Sequence, residues 1–139
     1  LRAAGVTTWV GGCSPAVRRA AAAADGWNGW GPCAESGTFA ETAADVRRAV
    51  AEAGGDPDLD LSWGGQVLVA GSAEAAMAKF DRYGDRPGLV QGTVDDLSRH
   101  LRGLADAGAA WAVCAPLDVG SDPDVVEMVA EAAGAARYP

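Results

Sequence analysis

The residues best suited to chemistry lie together near the start of the chain, in Val10-Gly11-Gly12-Cys13-Ser14-Pro15. Two glycines let backbone N–H groups come close to an anion, and a helix beginning at Ser14-Pro15 would aim roughly half a positive charge at it. The Ser14 hydroxyl can donate to a phosphate oxygen. Gly11, Gly12, Cys13 and Ser14 are therefore candidate phosphate ligands. The same four residues also make a tight strand-to-helix turn with a serine cap and no ligand, and spacing alone leaves both readings open. Cys13 sits where a helix N-terminus lowers a thiol pKa. A nucleophilic cysteine needs a base beside it, and the single histidine, His100, is remote in sequence. Cys13 reads as a small residue in the turn.

Other functional side chains are more scattered. Asp25-Gly26-Trp27-Asn28 places Asp25 or Asn28 at a strand end near a pocket; alternatively Asp25 caps the strand and Gly26 admits close packing. Trp27 and Trp30 either line an apolar slot for a cofactor or substrate or belong to the core. Trp30, in Gly29-Trp30-Gly31-Pro32, is the harder of the two to bury. His100 reads as a half-exposed helix residue. Asp118 stands either at the mouth of the fold or at the start of a turn toward Gly120. No triad, carboxylate pair or metal-ligand spacing is visible, so neither a catalytic residue nor a metal site is assigned.

Composition narrows the partners. Nineteen acidic against eleven basic residues give a net charge of −8, the wrong sign for nucleic acid, which needs a basic stripe to displace counterions. Arg18-Arg19 and Arg47-Arg48 read as solvated helix faces. No apolar run approaches the roughly 18–20 residues that span a bilayer. Three cysteines, Cys13, Cys33 and Cys114, are odd in number and widely spaced. That pattern argues against a disulfide framework and a zinc site, and a cytoplasmic location is the simplest reading. The opening Leu1-Arg2-Ala3-Ala4-Gly5 reads as an internal cut in a longer chain.

Positioning these residues requires an alternation of strands and helices. Val6–Val10 is β-branched and aromatic, and Ser14-Pro15 opens a helix through Ala24. Asp25–Asn28 forms a short strand. Phe39, Ala43, Val46, Val50 and Ala53 recur at helical spacing, with Asp45, Arg48 and Glu52 on the other side. Leu59–Ala70 reads as a strand in which Gly64-Gly65 marks a bulge or a close approach, and its apolar end predicts burial on both faces. Ser72 caps a helix bearing Ala73, Ala76, Met77 and Phe80. Thr93 caps another, with Asp96 reaching back as in a capping box. Trp111–Ala115 is the last strand, and a helix from Asp122-Pro123 follows. Four strands, each followed by a helix, with an extra helix before the last strand, predict one parallel α/β domain over the 139 residues.

In this order, Trp9–Pro15, Ala24–Asn28, Val67–Gly71, Gly92-Thr93, Ala107–Ala109 and Ala115–Leu117 resemble the luciferase-like monooxygenase family. The resemblance implies the C-terminal half of a (β/α)8 TIM barrel of at least roughly 250 residues, with the N-terminal half missing. By the same resemblance Gly11, Gly12, Cys13 and Ser14 hold the phosphate of coenzyme F420, or of FMN, with F420 preferred. Cys13 stands where the family commonly has glycine or another small residue. Hydride transfer or oxygen insertion on a small-molecule substrate is the implied chemistry, and the usual catalytic side chains would lie in the missing half. Half a barrel has open strand edges, so such a chain is either an inactive fragment, a homodimer joined through the barrel edge, or a non-enzymatic interaction module.

Overall fold

The computed structural model describes residues 5–30 and 36–137. Along the chain run β1 (Trp9–Gly11), α1 (Pro15–Ala20) with a 3-10 turn at Ala21–Ala23, β2 (Gly26–Trp30) and α2 (Ser36–Glu52). Then follow β3 (Asp60–Ala70), α3 (Ala73–Tyr83), β4 (Val90–Thr93), α4 (Val94–Asp106), β5 (Trp111–Pro116) and α5 (Val125–Arg137).

Every described strand pairing is parallel, and β3 is the hub. β2 pairs with its first half, and β1 lies outside β2. β5 runs along Ser62–Val67, while β4 pairs with Val67–Ala70, beyond the reach of β2. Val67 is matched to both Val90 and Pro116, so β4 and β5 occupy opposite edges of β3. β4 is the element the sequence pattern does not announce. At four residues it is too short to show an alternation, and Gly92 and Thr93 read as the start of the following helix.

One face of the sheet is packed under the helices. Trp27, Leu61, Trp63, Val67 and Val69 meet Phe39, Ala43, Val46 and Val50 of α2, Leu97, Leu101 and Leu104 of α4, and Val125 and Ala132 of α5. Burying each large side chain there stabilises the fold by about 1.5–3 kcal/mol. Of the stripe predicted from spacing, Phe39, Ala43, Val46 and Val50 are buried, whereas Ala53 lies past the end of α2 and is exposed. Asp45, on the other side of the helix, takes ion pairs from Arg48 and from Arg18 of α1.

The other, concave face is covered only in part: Ser62, Leu68 and Ala70 on it are buried, and several large side chains are not. Register places Gly11, Asn28, Ser62 and Trp111 in one row, and Trp30, Gly64 and Val113 in the next. Trp9 (37% exposed), Trp30 (46%), Trp111 (63%) and Val113 (55%) all lie on it. The glycines of this region serve the tryptophans. A methyl on Gly26 would fall 2.6 Å from the Trp9 ring, and one on Gly64 2.3 Å from the Trp30 ring. Gly65 does the same for Trp63 on the packed face. The pairing of β3 with β5 continues through Gly64-Gly65 without a slip. The bulge alternative is therefore set aside, and the close approach is of indole rings.

Candidate functional site

The turn at the C-terminal end of β1 is built by β2. Gly12 has φ +113°, a conformation open to glycine. Its N–H donates to the Asn28 carbonyl at 3.0 Å. Its own carbonyl accepts from Nε1 of the core residue Trp27 at 2.8 Å. Gly12 thus fixes the path of the chain and has its amide already committed. Ser14 is the N-cap of α1, and its Oγ accepts from the Val17 N–H at 3.3 Å. That bond uses a lone pair and leaves the hydroxyl proton to donate. Pro15 follows at the first helical position.

Cys13 lies in this turn with its sulfur 3.9 Å from the Trp30 carbonyl oxygen. It is disulfide-bonded. The odd cysteine count argues against every cysteine being paired but still allows one disulfide beside a free thiol, so the expectation of no disulfide is corrected. A thiolate nucleophile at Cys13 is accordingly ruled out in this state. Cys114 is free, and burial pushes its thiol pKa up.

The two tryptophans singled out together separate in the fold. Trp27 is fully buried under α2, against Phe39, and Trp30 faces the open side. Between them Asn28 turns inward and its Nδ2 donates to Ser62 Oγ at 2.8 Å. Asp25 takes the capping role, as its Oδ2 accepts from both the N–H and the hydroxyl of Thr8. This ties Thr8 ahead of β1, which begins at Trp9 and not at Val6.

A cavity of about 620 Å³ on the concave face is lined by Thr7, Trp9, Asn28, Asp60, Ser62, Trp111 and Val113. Trp9, Asp60 and Trp111 are the first residues of their strands. The cavity therefore opens at the N-terminal end of the sheet, whereas the Gly11–Ser14 turn and Trp30 lie at the C-terminal end. Parallel α/β enzymes bind ligands at the C-terminal end, and the cavity is better described as uncovered sheet.

Asp118 is 2% exposed, and its partner is a residue that sequence reasoning missed. Lys79 of α3 places Nζ 2.7 Å from the Val69 carbonyl, 2.8 Å from Asp122 and 2.5 Å from Asp118. Burial alone would lower the Lys79 pKa; the hydrogen bonds and charges of Asp118 and Asp122 outweigh it and raise the pKa above its usual value. The cluster ties α3 to the end of β3 and to the loop after β5. Ser121 and Asp122 also donate their N–H groups to the Asp118 carbonyl, the turn toward Gly120. The available sequence signal was a lysine among alanines, with two aspartates after the last strand. His100 is half-buried, edge-on to Trp63 with centroids 5.0 Å apart, and burial lowers its pKa. It does not approach the turn. Among the described residues no cluster of three or more potential metal ligands occurs, and no helix is long and apolar enough to cross a membrane.

Residues 3–136 match the family described as luciferase-like monooxygenase. The chain belongs to this family. Its fold is a partial luciferase-like barrel, as solved structures confirm. Long-chain alkane monooxygenase LadA superposes with a TM-score of 0.67 at 18% identity, over 87% of this chain and 39% of that one. Riboflavin lyase RcaE, solved with modified FMN and riboflavin, gives 0.68 at 16% identity, over 88% and 41%. The coenzyme F420-dependent tetrahydromethanopterin reductase from Methanopyrus kandleri gives 0.66 at 11% identity, over 91% and 49%. At these identities the likeness is one of fold. The chain spans less than half the length of each. No curated protein sequence matches it.

Proposed function

We propose that the chain is the cofactor-phosphate side of a flavin- or deazaflavin-dependent oxidoreductase of this family, with the phosphate held at Gly11, Gly12, Cys13 and Ser14. The observation that carries this reading is the place of the turn, at the C-terminal end of a parallel strand in a luciferase-like fold. Gly12, whose N–H is taken by Asn28, would contribute only room beside a phosphate, and the Ser14 hydroxyl retains a proton to donate. The bound cofactor would supply hydride transfer. The chain's own part is to anchor and orient the phosphate. F420 is preferred to FMN on the pairing of Gly-Gly-Cys-Ser-Pro with Ala-Asp-Gly-Trp. The substrate is a small molecule recognised largely outside this chain. Because much of the concave face around Trp9, Trp111 and Val113 is exposed, the chain binds cofactor without turning over, until the rest of a barrel or a second copy closes it.

The test is titration of FMN and of F420 into the wild-type chain and Ser14→Ala. Saturable binding is expected, weakened about tenfold or more by the substitution, since a hydrogen bond to a charged group contributes about 1.5–3 kcal/mol. Absence of saturable binding of either cofactor overturns the reading. A second reading, a non-enzymatic interaction module, draws on the exposure of Trp9, Trp111 and Val113. It predicts a stable oligomer indifferent to both cofactors.

A further inference from the structure

We propose that two copies of this chain close one barrel, β1 of each pairing with β5 of the other about a two-fold axis that runs along the strands. Such a pairing does not depend on what the turn after β1 binds.

Across the sheet the strands run β1, β2, β3, β5, because β4 lies on the same edge of β3 as β2 and pairs only with Val67–Ala70. All of them are parallel, and β1 and β5 each keep one side free. A second copy turned about the strand direction therefore offers its β1 as the next parallel strand beside β5, and its β5 then meets β1. Two sets of these strands make the eight of a filled (β/α)8 barrel. The chain spans 39%, 41% and 49% of the three solved relatives, close to the share of one copy in such a pair.

Both edges have backbone groups to spare. The Thr8 carbonyl accepts from Asp25 and the Gly12 N–H donates to Asn28, both toward β2. By alternation the N–H groups of Trp9 and Gly11 point to the free side of β1. The Ala110 N–H donates to Leu61 ahead of β5, so those of Trp111 and Val113 point away from β3. The helices decide what kind of surface must cover the concave face. Side chains of α1, α2, α4 and α5 all pack on the opposite face. A purely parallel sheet is covered on both faces, either by helices on both sides or by closing on itself. With these four helices on one side, closure is what remains for the exposed area around Trp9, Trp111 and Val113. Trp9 is level with Asp60 and Trp111 with Ser62, in adjacent rows of that face. At each seam Trp111 of one copy thus stands on the strand beside Trp9 of the other, and both indoles leave water.

The test is light scattering of the full chain after size-exclusion chromatography, in about 0.3 M salt to screen the net charge of −8 on each copy. Proline at an outward-facing position removes an edge donor and spares the hydrogen bonds inside the sheet. The wild type should rise with concentration to the mass of two chains and no further. Trp9→Pro and Val113→Pro each block one edge, and each should stay at the mass of one chain. An equimolar mixture of the two should recover the paired mass, since the mixed pair keeps one seam intact. Circular dichroism checks each fold, and Trp9→Lys and Val113→Lys, run singly and mixed, replace any proline variant that does not fold. A wild type of one chain at every concentration overturns the pairing and leaves the face to another segment or another protein. A mass that climbs past two chains overturns closure in favour of open stacking. If Trp9→Pro still pairs while Val113→Pro does not, β5 joins β5 and the proposal falls. It falls equally if the mixture stays at the mass of one chain, because the two edges then do not complement each other.

Discussion

At the scale of single residues, the molecule separates two kinds of polar side chain that look alike in sequence. Ser14 is exposed and caps α1 through its Oγ, while Asp118 is enclosed, with the ammonium of Lys79 at 2.5 Å. Lys79→Met would leave the Asp118 carboxylate, 2% exposed, without a cation beside it. Breaking a buried pair from one side costs about 3–5 kcal/mol. Urea unfolding of Lys79→Met should show a loss of that order, and Lys79→Met with Asp118→Asn should recover part of it. A single variant within about 0.5 kcal/mol of wild type would mean that the pair is solvated. Asp118 was legible as a residue at a strand exit. Its role was not, because Lys79 comes from α3 and Asp122 from the far side of a turn, and only the fold brings the three together.

At the scale of elements, local signals were the most legible, and α4 shows why. Thr93 and Asp96 form a capping box within four consecutive residues, so sequence contains the whole motif. The Asp96 carboxylate accepts from the Thr93 N–H and hydroxyl and from Arg99. The bonds from Thr93, backbone and then side chain, come first in lowering its pKa from 3.8 to about 2, and Arg99 adds to them. A carboxylate with a depressed folded pKa contributes stability that is full above its unfolded pKa and is lost as pH falls through the folded one. Melting temperatures of the wild type should therefore fall further between pH 4 and about 2 than those of Asp96→Asn, which lacks this titration. Parallel pH profiles of the two proteins would rule the contribution out. The glycine pair of β3 was half legible: unusual residues in a strand signal either a bulge or a close approach, and the choice depends on which side chains lie opposite. Gly65→Ala would push a methyl to 2.1 Å from the buried Trp63 ring, an overpacking costing about 1–3 kcal/mol. Gly71→Ala meets nothing within 4 Å and should unfold at the wild-type denaturant concentration.

At the scale of the whole molecule, alternating strands and helices were enough to predict a parallel sheet with one helix-packed face, but alternation cannot say whether the second face is covered. In the structure β1 and β5 are the outer strands, and Trp111 lies on the concave face while also lining an apolar groove formed by Leu101, Leu104, Ala133 and Ala136 behind the sheet. A strand added to the free side of β5, with a helix behind it, would cover both surfaces of that edge. This is the geometry by which a parallel barrel continues. Until something does so, apolar area gathered around Trp111 and Val113 favours association with any surface of like character. Light scattering after size-exclusion chromatography should show the mass of the wild-type chain rising with concentration. Trp111→Lys with Val113→Lys should hold the mass at one chain. The two residues are 63% and 55% exposed, so their loss removes little packing and the melting temperature should change slightly. A wild type that stays monomeric at every concentration would show that the open edge of β5 is not where this chain meets others. The lysine variant distinguishes that outcome from mere instability, because a poorly folded chain would aggregate with or without the two apolar side chains.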